Sequence, residues 1–359
     1  MVRGRRRHRA AVGLRRGTHR GGRDRWRGAP PDPRARLTQH DGSVNAPARP
    51  LLGYALVLAA ASLFAVNAGV SRVPLRSGTD IETFTSVRVT GALAVLALIA
   101  LLTERSAFRL PRGRQVALVI GLGLVGVAGL QGFYNVAIDR LPLSIALLVE
   151  YLGPVWVVLW VRFVRREPVQ PRMWPALALA LVGLALVGRI WTGVAFDGIG
   201  LLAALTAGVC FAAYFLLGEH ETGDMTPLAV ILWAFVVAVV TINLIQPFWT
   251  ADQLGESASL LGRLDHLSVP AWVAMTSVIV LGTTAPFFLL LLALRHLPAT
   301  TVSVVAMLEP AGAVVVGWLW FAESLAPVQV AGVLLVLVGI VLAQTSRRVQ
   351  PETLPPTPV

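Results

Sequence analysis

Residues 137–167 read AIDRLPLSIALLVEYLGPVWVVLWVRFVRRE, and residues 293–323 read ALRHLPATTVSVVAMLEPAGAVVVGWLWFAE. The second stretch follows the first without a gap at a constant offset of 156 residues. The ungapped matches include Ala137, Leu141, Pro142, Pro154, Glu167, Pro171 and Gly183 with Ala293, Leu297, Pro298, Pro310, Glu323, Pro327 and Gly339. Chance explains Leu and Ala matches in this composition, but not the Pro, Gly and Glu matches. The chain therefore contains two copies of one unit.

A second offset, 147 residues, relates the beginnings of the two copies. It aligns Gly53, Leu58, Ala60, Phe64 and Ala65 with Gly200, Leu205, Ala207, Phe211 and Ala212. We therefore predict a first repeat over residues 50–191 and a second over 198–344, with tails at 1–49 and 345–359.

The composition predicts that both repeats lie in a membrane. Of the 359 residues, 55% are hydrophobic and only 14% are charged, and the mean hydropathy is +0.70. Soluble domains have about 25% charged residues. The apolar runs are long enough to cross about 30 Å of hydrocarbon as helices, which satisfy their own backbone groups. We predict ten spans, at residues 51–70, 84–103, 115–137, 143–163, 173–191, 198–217, 226–247, 270–293, 299–320 and 326–344.

Five spans per repeat is an odd number, so the second copy enters the membrane in the opposite direction. The prediction is an all-α polytopic protein made of two inverted five-helix repeats. Placing both termini inside assigns eleven arginines to inner loops or the inner C-terminal end and five to outer loops, as the positive-inside rule requires. This orientation suits a multi-pass protein of the inner (cytoplasmic) cell membrane.

The basic character of the chain lies mainly in its N-terminal tail. Residues 1–49 hold 14 of the 31 arginines, without apolar periodicity, and we predict disorder there. An alternative is that translation begins at Val44. The tail carries one aromatic residue, Trp26, so nucleic-acid binding is not expected. Nor is a metal or other cofactor expected, because Cys210 is the single cysteine and metal-ligand or nucleotide-binding motifs are absent.

Three charged residues lie inside predicted spans, where each costs about 2.5–3.5 kcal/mol on insertion scales and so needs a role. Arg88 would attract a substrate carboxylate or pair with Glu150, unless it reaches the outer interface instead. Glu150 is the favoured proton-coupling or substrate-amine residue, and Glu309 could join it where the repeats meet. The alternative for each acid is a structural role.

Prolines and polar side chains complete the candidate site. Pro154, Pro286 and Pro310 would kink their helices, since proline removes a backbone donor. Glu167 and Glu323 lie just beyond spans and are expected to have a structural or gating role. Contacts to a substrate or coupling ion are predicted from Arg88, Glu150, Glu309, Tyr151, Gln131, Tyr134, Asn67, Tyr214 and Thr284, and Asn135, Thr283 and Ser303 are further candidates for the cavity lining.

These motifs resemble a known family. Ala137-x3-Leu141-Pro142, Glu150-x3-Pro154, Ala293-x3-Leu297-Pro298 and Glu309-Pro310 are similar to the two EamA domains of the drug/metabolite transporter superfamily. Residues 141–154 and 282–309 look closest to its threonine/homoserine exporter branch. The resemblance implies ten helices, proton-driven or exchange-driven transport, and frequent export of amino acids or other metabolites.

We therefore expect a secondary transporter, not an enzyme, that exports a small metabolite such as an amino acid by alternating access. Its partners would be that substrate, the lipid bilayer and protons, while monomer or homodimer stays open. Two alternatives are a non-transporting scaffold or sensor and a membrane-embedded enzyme. An enzyme would need a catalytic partner for His220, His266 or His296. These histidines lie near span ends, and the sequence shows no such partner for them.

Overall fold

The computed structural model describes residues 49–76, 78–141, 143–190, 197–220, 224–250, 257–322, 324 and 326–344. The predicted N-terminal tail up to residue 48, the C-terminal tail, Pro142, Trp191 and Glu323 lie outside them. Ten apolar helices lie within the described residues: α1 (Pro50–Arg76), α2 (Ile81–Thr103), α3 (Arg114–Arg140), α4 (Ile145–Val164), α5 (Met173–Gly188), α6 (Gly198–Gly218), α7 (Pro227–Ile245), α8 (Ala271–Ala293), α9 (Ala299–Phe321) and α10 (Pro327–Gln344).

Eight of these helices are long and apolar enough to cross a membrane, and α5 and α10 are shorter apolar helices. The prediction of an all-α polytopic membrane protein is confirmed.

Several helices begin where a polar side chain caps the backbone. Asp80 accepts hydrogen bonds from the amides of Glu82 and Thr83, and Asp197 caps α6. Burial would raise the pKa of Asp80, but these hydrogen bonds outweigh it and lower the pKa.

Helix packing follows a pseudo-twofold pattern. Helix α1 of the first repeat packs against α8 and α9 of the second, and α6 correspondingly packs against α3 and α4. Helix α2 packs against its counterpart α7, and α5 packs against its counterpart α10. These main contacts between the repeats are symmetric, as expected for two copies of one five-helix unit.

The third helix of each repeat contains a π-helical segment. In α3 it is Leu122–Gly129, and in α8 it is Val280–Thr284. The offset of 156 residues superimposes the second segment on the first. Such wider turns occur frequently at functional sites. Pro286 follows the π-helical segment of α8 by two residues.

The fourth helix of each repeat is interrupted at its middle. The first part of α4 ends at Glu150 and the second begins at Gly153, while α9 is broken at Met307. Met307 is the repeat equivalent of Tyr151. Pro154 and Pro310 follow the two breaks. Because proline lacks an N–H, the carbonyls four residues earlier lose their helical donor.

The connection between α7 and α8 contains a 3-10 turn, Phe248–Thr250, and a hairpin that the sequence analysis did not predict. Strand β1 (Ser257–Ser259) pairs antiparallel with β2 (Ser268–Pro270), and Ala258 lies opposite Val269. The strands enclose a further 3-10 turn, Gly262–Leu264. Trp320 at the end of α9 donates a hydrogen bond to the Leu260 carbonyl at 3.0 Å.

A third 3-10 turn, Arg105–Phe108, joins α2 to α3. Trp233 of α7 donates from its indole nitrogen to the carbonyls of Ala107 and Arg109, both at 3.1 Å. This short connection is therefore fixed against the second repeat.

Candidate substrate site

A cavity of about 490 Å³ lies between the repeats, with walls from both. Its lining reaches the last turns of α1, α5 and α9 and the first turn of α2. In a bundle whose successive helices alternate in direction, these ends lie on one side of the membrane. Among the described residues, the lining reaches the opposite helix ends only at Leu290, in the last turn of α8. The cavity therefore opens toward one side.

All three predicted intramembrane charges, Arg88, Glu150 and Glu309, line this cavity. The two acids lie beside the breaks in α4 and α9, so both interruptions face the same space. The sequence analysis placed them near the repeat interface, and the structure brings them together with Arg88.

The Arg88 guanidinium is incompletely paired. It donates to the side-chain oxygen of Gln131 and lies over the Phe84 ring, 5.4 Å from the centroid. Its buried Nε has no hydrogen-bond partner in the described part of the chain. Within that part, no ion pair of 4.0 Å or less joins Arg88 to Glu150 or Glu309. A buried donor without an acceptor is costly, so an acceptor from a ligand would be favoured here.

The two acids differ in their partners. The Tyr151 hydroxyl lies near the Glu309 carboxyl, and Tyr151 itself is only 2% exposed and packs edge-on against Phe211. No described residue donates a hydrogen bond to the Glu150 carboxyl. Glu309 thus has a nearby tyrosine hydroxyl as a polar neighbour, and the environments of the two acids differ.

The other predicted site residues divide into two groups. Gln131, Tyr134, Asn67, Tyr151 and the additional candidate Asn135 line the cavity. Four others lie outside the lining and form hydrogen bonds within the helix bundle. The Tyr214 hydroxyl donates to the Phe287 carbonyl at 2.6 Å. The hydroxyls of Thr283, Thr284 and Ser303 donate to carbonyls of their own helices.

Asn67 is placed by a glycine. A side chain at Gly282 would put its Cβ 1.9 Å from the Asn67 amide oxygen, so only glycine leaves room for Asn67 at this crossing of α1 and α8. The same oxygen accepts a hydrogen bond from the Ser71 hydroxyl at 3.1 Å. The amide therefore lies at the cavity wall in a fixed position.

Aromatic lining residues were missed by the sequence analysis, which considered polar side chains and tyrosines. Phe64 and Phe287 meet edge-to-face with centroids 5.5 Å apart. The repeat could have indicated two of them, because Phe64 and Phe211 occupy equivalent positions of the two copies and both line the cavity. The phenylalanines of the lining are Phe64, Phe84, Phe211, Phe287 and Phe321.

The arrangement combines a cation, two acids and apolar walls in one space. In the described residues, no cluster of three or more His, Cys, Asp or Glu side chains could hold a metal ion. The site is therefore suited to recognise a small molecule that carries both charges and an apolar part.

Comparisons with known proteins agree with this geometry. The profile of the EamA-like transporter family matches residues 51–189 and 198–345. The threonine/homoserine exporter RhtA of Escherichia coli K12 is 32% identical over 240 residues, which cover 66% of this chain and 74% of that protein. The RhtA exporter of Salmonella typhimurium LT2 is 29% identical over 263 residues, covering 73% of this chain and 81% of that protein.

The fold also matches a solved crystal structure. The TM-score is 0.65 at 18% sequence identity, and the match covers 82% of this chain and 96% of the other. At this identity the likeness concerns the fold alone.

Proposed function

Because the chain belongs to the EamA-like transporter family, we propose that it exports a small zwitterionic metabolite, an amino acid or a close relative of one. Family membership confirms the predicted transporter and excludes the predicted alternatives of an enzyme or a non-transporting scaffold. The substrate class rests on one observation, the incompletely paired Arg88 that shares a cavity with two acids.

Each part of such a substrate has a complementary group. The carboxylate pairs with Arg88, whose planar guanidinium favours carboxylates. The ammonium pairs with Glu309, whose carboxyl lies near the Tyr151 hydroxyl. The phenylalanines of the lining accommodate an apolar side chain.

The charges also favour coupling to protons. The cavity holds one cation and two acids, and a bound zwitterion neutralises Arg88 and one acid. The remaining acid, Glu150, has no hydrogen-bond donor in the described residues and would be protonated when the substrate is bound. Buried carboxylates that exchange protons are common in membrane transport pathways.

The predicted orientation gives the direction of the present state. With the N-terminus inside, the last turns of α1, α5 and α9 lie outside, so the cavity faces outward. The repeat-related state would face inward, and exchange between the two would move substrate across the inner cell membrane.

The test is flux of amino acids through the purified protein in proteoliposomes, with and without a pH gradient. We expect the gradient to drive flux in the parent protein and to lose its effect in Glu150→Gln. Arg88→Gln should abolish binding of amino acids while leaving binding of the corresponding decarboxylated amines. Arg140→Gln is the matched control, because Arg140 forms an exposed ion pair with Asp197 at 3.6 Å.

Two results would contradict the proposal. A pH gradient that still drives flux through Glu150→Gln would remove the coupling role of Glu150. Equal loss of amino-acid and amine binding in Arg88→Gln, with the fold intact, would mean that Arg88 does not recognise the carboxylate.

A further inference from the structure

The helix ends opposite the cavity mouth are joined by one side chain, Glu219. Its carboxylate forms an ion pair with Arg165 at the end of α4, and both side chains are 22% exposed. The second carboxylate oxygen accepts a hydrogen bond from the Ala299 amide at 2.8 Å, at the start of α9. Since Glu219 directly follows α6, it connects α4 of the first repeat to α6 and α9 of the second.

The repeat places an equivalent pair at the cavity mouth. Arg72 precedes Glu219 by 147 residues, and Phe321 follows Arg165 by 156, the two offsets of the repeat. The Arg72 guanidinium lies over the Phe321 ring, 4.5 Å from its centroid, and both residues line the cavity. The same two positions therefore meet at both ends of the molecule, once as an ion pair and once as a cation–π contact.

The two contacts differ in strength. Hydrogen bonds between charged groups are about twice as strong as those between neutral ones, and Glu219 adds a bond to a backbone amide. A cation–π contact, such as that between the half-buried Arg72 and Phe321, is usually weaker. Both contacts are formed in the observed state, but only the contact at the closed end is an ion pair.

We propose that Glu219 and Arg165 form a latch that must open for substrate to leave or enter at the end opposite the mouth. The latch rests on the alternating access proposed above, but it is tested without any substrate. It assigns a role to two residues that the cavity itself does not use.

Ser303 offers a probe of the closed end. It is fully buried on α9, between Ala299 at the latch and Glu309 in the cavity. Replacing Ser303 by cysteine changes the side chain little. The native Cys210 is buried and can be replaced by alanine to leave a single reactive thiol.

The experiment measures the rate at which a membrane-impermeant maleimide labels Ser303→Cys in a Cys210→Ala background, from each face of oriented vesicles. We expect slow labelling in the parent. Glu219→Gln and Arg165→Gln should each raise the rate about five- to tenfold from the face opposite the mouth, because each removes one partner of a charged hydrogen bond. Combining them should add little, since both remove the same interaction.

Two controls fix the interpretation. Asp197→Asn removes an exposed ion pair but retains a capping side chain, and should leave the labelling rate unchanged. Phe321→Leu, at the equivalent position of the mouth, should leave the rate at or below that of the parent. Normal thermal unfolding of each variant verifies its fold. If a latch variant does not fold, Arg165→Lys replaces it. Because lysine keeps the charge, this variant should raise the labelling rate less than Arg165→Gln.

Unchanged labelling in the latch variants would overturn the proposal, as would an equal rise in Phe321→Leu. Because no substrate is present, a failure of the latch is distinct from a failure of the proposed transport function. A latch that behaves as expected while amino-acid flux is absent would contradict only the substrate class.

Discussion

Tyr151 in the first repeat lies close to Glu309 in the second, and both residues line the cavity. Both residues lie at helix interruptions that the repeat makes equivalent, yet Tyr151 corresponds to Met307, and Glu309 corresponds to Gly153. The contact of Tyr151 with Glu309 therefore has no symmetric counterpart, and the two acids in one cavity have different environments.

We expect Tyr151→Phe to weaken substrate binding while the fold stays intact. The hydroxyl is lost but the ring contact with Phe211 is retained. In the substrate complex the Tyr151 hydroxyl would donate to the Glu309 carboxylate. A hydrogen bond to a charged group contributes about 1.5–3 kcal/mol, so the apparent KM should rise at least about tenfold. The measurement is concentration-dependent flux in proteoliposomes. An unchanged KM would show that the Tyr151 hydroxyl does not position Glu309 for substrate.

The matched control is Tyr214→Phe. Tyr214 is fully buried, donates to the Phe287 carbonyl and lies outside the cavity lining. Hydrogen bonds between membrane helices contribute about 0.6–1.7 kcal/mol, so this variant should unfold at a lower temperature and keep the parental KM.

A second prediction concerns the seam between α5 and α10. A Cβ added at Gly183 would lie 2.6 Å from the Gly332 carbonyl oxygen and 2.8 Å from the Val336 backbone nitrogen. Backbone atoms cannot turn aside, so Gly183→Ala must separate the helices. We expect a loss of about 1–3 kcal/mol in the free energy of unfolding, measured by thermal or denaturant unfolding in detergent.

Gly132→Ala provides the comparison for this seam. Gly132 lies in α3, is exposed, and has nothing within 4 Å of an added Cβ. Because alanine favours helix over glycine by about 1 kcal/mol, this variant should be equally stable or more stable than the parent. Similar destabilisation by both variants would contradict close packing as the cause.

A third prediction concerns the polar contact that holds the helix of Arg88. Asn243 on α7 accepts a hydrogen bond from the buried Ser86 hydroxyl at 2.9 Å and donates to the Thr90 hydroxyl at 2.9 Å. Ser86 is two residues from Arg88. Asn243→Leu should lower the free energy of unfolding by about 1–3 kcal/mol and reduce flux, because a buried hydroxyl loses its partner and α2 is no longer fixed.

Thr241→Val is the control on the same helix. Its hydroxyl donates only to the Val237 carbonyl, one turn earlier, at 2.8 Å. We expect a change in unfolding free energy within about 0.5 kcal/mol and normal flux. If Asn243→Leu gave an equally small change, the contact between α2 and α7 would not position Arg88.

The helix positions were predictable because hydrocarbon thickness sets a length that can be counted along the chain. The sixth span was predicted at 198–217, and the helix is Gly198–Gly218. The predicted and observed helix bounds differ where polar residues lie at a helix end. Helix α2 begins at Ile81 instead of 84 because Asp80 caps it, and α5 ends at Gly188 instead of 191, where Arg189 takes a left-handed conformation.

Site membership was only partly predictable. The charged residues were predicted because burying a charge in lipid is energetically costly, so every charged residue inside a span is expected to have a role. Tyr214 and Thr284 were equally good candidates by sequence, yet their helices turn them away from the cavity. The phenylalanines of the lining were missed because an apolar side chain in an apolar helix carries no local signal.

The sequence by itself determined ten apolar helices, two related repeats and three charges within the membrane, since length, periodicity and the cost of a buried charge are local properties. Only the tertiary structure decided which side chains share the cavity, that Tyr151 lies beside Glu309, and that Glu219 joins three helix ends. These relationships depend on the rotation and crossing of helices, which are set by packing between residues far apart in the chain.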